Sequence, residues 1–253
     1  MRDPSVKPHT DVVSLTAEFL ADVGRCLTFS GLNTLCLRTA AKLEIKAMAY
    51  HHLPHIGAGE NVGVNVVCLG LPKELVERFE AASSIGIDPT IQLVMSGTKA
   101  QKWREIEYTS RLNDEEQAYL DYAASRVDDG INVPVFGPNG RNGYVSLGFK
   151  IGRSVIADSE IHLIQSCCQF AHLKYCDLLM QELPDPAKLS RREKEILSWV
   201  AQGKSNGVIA DILGLSESSV ITYLERAFRK LEVDNRVTAA LRASSLGKLD
   251  HLK

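Results

Sequence analysis

The stretch from Leu189 to Leu231 constrains this chain more than any other. Ser190 stands as an N-cap with Glu193 three residues on, a capping box that satisfies two orphan amide donors and opens a helix running through Trp199 to Gln202. Gly203 ends that helix. After Lys204 and Ser205, a second helix from Asn206 to Leu213 stops at Gly214, and Ser216 caps a third, Glu217 to Leu231, almost at once. Helix, short glycine turn, helix is the arrangement whose second helix enters the major groove of DNA. The spacing therefore predicts an all-α helix-turn-helix module, with double-stranded DNA as its partner.

The charge distribution agrees with that placement. The net charge of −2 conceals an asymmetry: residues 186–253 hold twelve Lys and Arg against eight Asp and Glu, and residues 1–185 hold seventeen against twenty-three. The positive end is the one suited to a polyanion. Between the two lies Gln181 to Lys188, QELPDPAK, whose prolines cannot continue a helix, so a linker is expected over residues 181–188 between domains at 1–180 and 189–253. A hydrophobic content of 45% with 24% charged residues is enough to build a core in each.

The first part reads as a sheet bracketed by helices. Residues 11–29 carry Val12, Leu15, Phe19, Val23 and Leu27 at helical spacing. Ala47 to Leu53 and Val64 to Leu69 have strand character and are separated by the turn-forming GAGEN. Leu71 to Ala82 returns to helical period, with Leu75, Val76 and Phe79 on one face. Ile131 to Phe136 and Gly143 to Lys150 are expected strands, joined by GPNGRN, where Asn139-Gly140 suits a tight hairpin turn. Asp158 to Leu183 is a long helix with Ile161, Ile164, Cys168, Ala171, Tyr175 and Leu178 in one stripe, a candidate dimer surface. The expectation is an α+β class: an N-terminal α-β-α sandwich with an antiparallel sheet, followed by the all-α module.

Several function classes find no support. The first ten residues lack a signal-peptide core, and no stretch approaches the length of a membrane span, so a cytoplasmic protein without a membrane partner is expected. The six cysteines form no CxxC pair and read as reduced core residues. His51, His52 and His55 stand without a companion cysteine or carboxylate cluster, so no metal is expected there. Gly57, Gly59 and Gly63 are too irregular for a phosphate loop. An enzyme would need an activated nucleophile, a base and an oxyanion site, and none is discernible.

On the helix from Glu217, an apolar stripe of Val220, Leu224, Ala227 and Leu231 leaves Ser219, Ile221, Thr222, Tyr223, Glu225 and Arg226 for the groove. Lys204, Arg226, Arg229 and Lys230 are candidate phosphate contacts, which fix register without reading sequence. The run LSRREKEILSWVAQGKSNGVIADILGLSESSVITYLERAFRKLEVDNRVTAALRA resembles the DNA-binding domain of the LuxR-type quorum-sensing regulators, with Glu193, Leu197 and Gly203 at its most characteristic positions. Where some members carry base-reading arginines, this chain has Ile221 and Glu225, neither of which can make a bidentate contact to guanine. The operator does not carry over.

Asp88-Pro89, Trp103, Gly130 and Ser146 resemble the autoinducer-binding domain of the same family. That resemblance implies a small-molecule signal, an acyl-homoserine lactone or a relative, between sheet and helices. Asp88 would accept from the ligand amide, Trp103 would wall the ring and Ser146 would donate to an acyl carbonyl. Leu75 and Phe79 replace a tryptophan and a tyrosine, removing two donors worth about 0.5–1.5 kcal/mol each. The expected function is a ligand-responsive, homodimeric transcription regulator with RNA polymerase as a further partner and no cofactor beyond the signal. The alternative is a regulator with the same DNA-binding domain that is signal-independent or answers a different ligand.

Overall fold

The computed structural model describes residues 12–54, 65–69, 71, 73–74, 76–77, 89–106, 112–124, 129–149, 157–182 and 188–249. They divide into two compact units, the first taking in nearly all described residues up to Leu179 and the second Met180 onward. No single helix among them is long and apolar enough to cross a membrane.

The first unit opens with α1 (Val12–Val23) and α2 (Phe29–Lys42). The sequence pattern predicts one helix over 11–29. Instead, the chain turns after Val23, and the Thr28 side chain accepts from Gly31 N to start α2. A β-branched N-cap satisfying an orphan amide outweighs an apolar period that continues through it. Leu27, expected on the stripe, is 82% exposed.

β1 (Ile45–His52) and β2 (Asn65–Leu69) form the predicted hairpin, with Met48 opposite Leu69 and His52 opposite Asn65. Next come α3 (Thr90–Met95), a short β3 (Gln101–Lys102), a 3-10 turn at Trp103–Glu105 and α4 (Asp114–Ala124). β4 (Gly130–Val135) and β5 (Gly143–Phe149) pair through a turn in which Asn139 and Gly140 have φ of +57° and +74°. The five strands make an antiparallel sheet in the order β2-β1-β5-β4-β3.

Alternation divides the sheet into two chemically different faces. Ile131, Val133, Val135, Val145, Leu147 and Phe149 point one way and pack with Val12, Ala40 and Leu43 of the N-terminal helices and their junction. Ile161, Ile164 and Cys168 of α5 (Asp158–Glu182) complete that core. Tyr175 and Leu178, further along α5, join Phe19, Val23, Leu32 and Leu35. The α5 stripe expected as a dimer surface is therefore the unit's own core, because the sheet and the first two helices cover it. The apolar residues that α5 exposes are Phe170, Leu173 and Met180. α5 also runs two residues into the expected linker, ending before the Leu183-Pro184 step that disfavours helix. Residues 183–187 of that linker lie outside the described residues.

The second unit is α6 (Arg191–Ala201), α7 (Asn206–Leu213), α8 (Glu217–Leu231) and α9 (Arg236–Ser245). Gly214, at φ +64°, provides the left-handed residue that stops α7. α7 and α8 meet at a bend of 107°, the geometry of a helix-turn-helix. Ile196, Leu197, Ile209, Val220, Leu224, Ala227 and Leu231 close its core.

Candidate functional site

The second unit presents one face of α8. Val220, Leu224, Ala227 and Leu231 are buried, as the stripe requires, and Ser216 caps the helix by accepting from Ser219 N. Ile221, Thr222, Glu225, Arg226 and Arg229 are exposed, while Ser219 and Tyr223 are half-buried. The Ser219 hydroxyl lies 2.8 Å from that of Ser216, and Thr222 donates to Ser218 O at 3.0 Å. The Arg226 guanidinium sits 5.9 Å from the centre of the Tyr223 ring, where the ring face attracts and steadies it. Lys204 is half-buried in the turn before α7, and its carbonyl accepts from Arg236 Nη2 at 2.6 Å.

Lys230, expected as a phosphate contact, also has a partner within the fold. Its Nζ reaches both carboxylate oxygens of Glu193, at 2.9 and 2.7 Å, and the Lys188 carbonyl at 3.1 Å. The Glu193 side chain is 3% exposed, and its Oε2 also takes the Ser190 N–H of the capping box at 2.6 Å. A carboxylate so enclosed requires its cation, so Lys230 serves the fold. Burial would push the Glu193 carboxyl up, but the hydrogen bonds from Lys230 and Ser190 overcome it and hold the group below the ordinary carboxylate range.

Arg226 carries the phosphate-contact assignment forward. Arg226→Ala is expected to weaken binding about equally on operator and random DNA and to reduce the salt slope by about one. Salt-dependent titration of both DNAs decides it, and unchanged affinity and slope would remove Arg226 from the interface.

In the first unit, Trp103 and Ser146 converge on one atom. Asn132 Oδ1 accepts from Trp103 Nε1 at 2.9 Å and from Ser146 Oγ at 2.7 Å. The Asn132 residue is 2% exposed and sits within the apolar run INVPV, a polar interruption that sequence reading passed over. β4 and β5 place Asn132 opposite Ser146, on the sheet face away from the core shared with α5. Gly130 lies two residues before Asn132, on the same face and against the indole of Trp103. Leu75, Phe79 and Asp88 lie outside the described residues.

A cavity of about 100 Å³ occurs on the other face of the sheet, bounded by Leu32, Cys36, Tyr50, Val67, Cys168 and His172 among others. Neither Trp103 nor Ser146 is among its described lining residues, so the cavity and the Trp103–Asn132–Ser146 triad are separate places. The triad brings fixed polar groups together on its face of the sheet. None of the six cysteines is in a disulfide. Burial pushes Cys36 up to about 12 and Cys167 up to about 11, which keeps both protonated and poorly nucleophilic.

The histidines separate by face. His51 stacks on Tyr144 with 4.2 Å between ring centres. His52 points the opposite way and meets the companions that its neighbours in sequence did not supply: His172 and Cys176, one turn apart on α5. The expectation of isolated histidines is thus corrected for His52. The spacing H-L-K-Y-C carried the signal, at a distance of more than a hundred residues. His55, Gly57, Gly59 and Gly63 lie outside the described residues.

Comparison with known proteins covers both units. Residues 28–175 match the family model described as "Autoinducer binding domain", and residues 187–243 match "Bacterial regulatory proteins, luxR family". The chain is 31% identical over 251 residues to the putative HTH-type transcriptional regulator y4qH of Sinorhizobium fredii, covering 92% of this chain and 74% of that protein. It is 29% identical to the HTH-type quorum-sensing regulator RhlR of Pseudomonas aeruginosa, covering 70% of this chain and 73% of RhlR. Among solved structures, Escherichia coli SdiA has the same fold, with a TM-score of 0.74 at 23% identity over 95% of this chain and all of that one.

Proposed function

The chain belongs to the luxR family of bacterial regulatory proteins, with an autoinducer-binding domain ahead of the DNA-binding one, and from that premise we propose that its first unit takes a small amphipathic signal bearing an amide and thereby governs DNA binding by its second. Transcription regulation through DNA, without enzymatic chemistry, is the activity of the family. The finer reading is an acyl-homoserine lactone or a relative as signal, no further cofactor, a homodimer on paired half-sites in the cytoplasm, and RNA polymerase as a partner at the promoter.

The Trp103–Asn132–Ser146 triad carries this reading. It sets an aromatic wall and a hydroxyl about one buried amide oxygen, which locks both side chains in place on one sheet face. Preformed polar groups on an otherwise apolar wall are the ordinary means of orienting a small ligand. Leu75 and Phe79 supply no donor to such a ligand, so the signal's amide depends on Asp88 and its ring on packing.

Thermal shift of the full chain against a panel of acyl-homoserine lactones and aromatic amides tests the proposal. At least one class is expected to raise the melting temperature of the wild type and to leave a folded Asp88→Ala variant unmoved. A wild-type shift retained in Asp88→Ala removes Asp88 from the site. No shift with any member of the panel, together with full operator binding, identifies a signal-independent regulator instead.

A further inference from the structure

His52, His172 and Cys176 are all buried, and one donor atom from each lies within 4.8 Å of the others. Cys176 Sγ and His172 Nε2 are 3.6 Å apart. A tetrahedral zinc ion with Zn–N of about 2.0–2.1 Å and Zn–S of about 2.3 Å holds its nitrogen and sulfur roughly 3.5 Å apart. One turn of α5 therefore already sets two donors at a coordinating span, and the end of β1 brings the third.

The surroundings have the form of an outer coordination shell. The Tyr50 hydroxyl is 2.9 Å from His52 Nδ1 and 2.8 Å from His172 Nδ1. Its oxygen has two lone pairs and can take an Nδ1–H from each ring, which fixes the tautomer that turns Nε2 toward a metal. Tyr50 and His172 also line the cavity between the sheet and α5, which brings that space up to the cluster.

We propose that His52, His172 and Cys176 form a site for one zinc ion, oriented by Tyr50, that ties α5 to the end of β1. On binding, the Cys176 thiol gives its proton to solvent, both imidazoles remain neutral, and a fourth position is left for water. Two histidines and one thiolate form a borderline-soft donor set that favours zinc over magnesium or calcium.

The test uses full-length protein freed of metal by chelator and titrated with Co²⁺, whose spectrum reports ligands that zinc hides. One equivalent is expected to bind, with a thiolate-to-cobalt charge-transfer band in the near ultraviolet and tetrahedral bands in the visible. Zn²⁺ should displace it and raise the melting temperature. Cys176→Ser should abolish the charge-transfer band, whereas Cys36→Ser, which changes another thiol beside the cavity, should preserve it. Tyr50→Phe should lower affinity about 10- to 100-fold while keeping the band. Wild-type protein that binds no stoichiometric Co²⁺, or binds it without the charge-transfer band, overturns the site whatever the variants do. So does a band that persists in Cys176→Ser.

Discussion

Replacing Lys230 with alanine is expected to lower the melting temperature of the helical unit by about 8–16 °C. Removing one member of a fully buried ion pair costs about 3–5 kcal/mol, because the other charge is left enclosed and alone. The Lys230 side chain is 40% exposed, so water compensates in part, and about 2 kcal/mol is the proper expectation. In a domain of this size each 1 kcal/mol moves the midpoint by about 4–8 °C. Lys230→Met should be nearly as harmful, since it keeps the stem and loses the charge. Adding Glu193→Gln to it should restore much of the loss by removing the stranded carboxylate.

Circular dichroism melting of these variants separates the structural role from a phosphate contact. A phosphate contact would leave the midpoint unchanged and lower the salt slope of DNA binding by about one. The pH dependence supplies a second signature. The Glu193 carboxyl is held below its ordinary pKa, so the pair's contribution is present above the unfolded carboxylate value and lost as pH falls through the folded one. Wild type should thus lose its margin over Lys230→Met on acidification. A constant margin down to the acid transition would show that the pair contributes nothing.

Gly130→Ala is expected to damage the sensing unit at least as severely. A Cβ at that position would stand 2.3 Å from Leu147 O and 2.7 Å from Trp103 Cε2. The carbonyl belongs to the neighbouring strand and cannot swing away, so either β4 and β5 separate or the indole leaves. Overpacking of this kind costs about 1–3 kcal/mol where the neighbours yield, and the rigid backbone contact here puts the expectation at the upper end, about 3 kcal/mol. The Trp103–Asn132 hydrogen bond should be lost with it, so Trp103 fluorescence should shift and ligand-induced stabilisation should disappear. Trp199 lies in the other unit and supplies a constant background, which a Trp199→Phe parent removes. Wild-type stability with unchanged Trp103 emission would mean that the close approach is not needed.

The helical unit was legible because its determinants are local. Ser190 with Glu193, Gly214 and Ser216 act within a turn of their own positions, and α7 and α8 lie where those residues predict. The first unit was harder to read for the same physical reason. The α1 period ran on through Gly24 and Thr28, and α2 was not anticipated at all. Periodicity showed that α5 is amphipathic but not what covers its apolar side, which proved to be the chain's own sheet. The ion pair of Lys230 with Glu193 was hidden because the two are 37 residues apart in sequence. Asn132, His172 and Cys176 gained their meaning from partners on other strands and helices, and no local pattern encodes that.

The strand order has a consequence for the time at which the protein becomes safe. β1 lies between β2 and β5, and its Ile45 pairs with Phe149, about a hundred residues later. At about 5–20 residues per second, a ribosome needs roughly 5–20 s to deliver that partner after β1 has been made. Throughout that interval one edge of β1, with the apolar surfaces of α1 and α2, has nothing native to rest on, and such an edge invites pairing with other chains. The helical unit, whose contacts are short-range, can close soon after it emerges. Synthesis rate and chaperone supply should therefore govern the yield of the sensing unit, while the DNA-binding unit is indifferent to both.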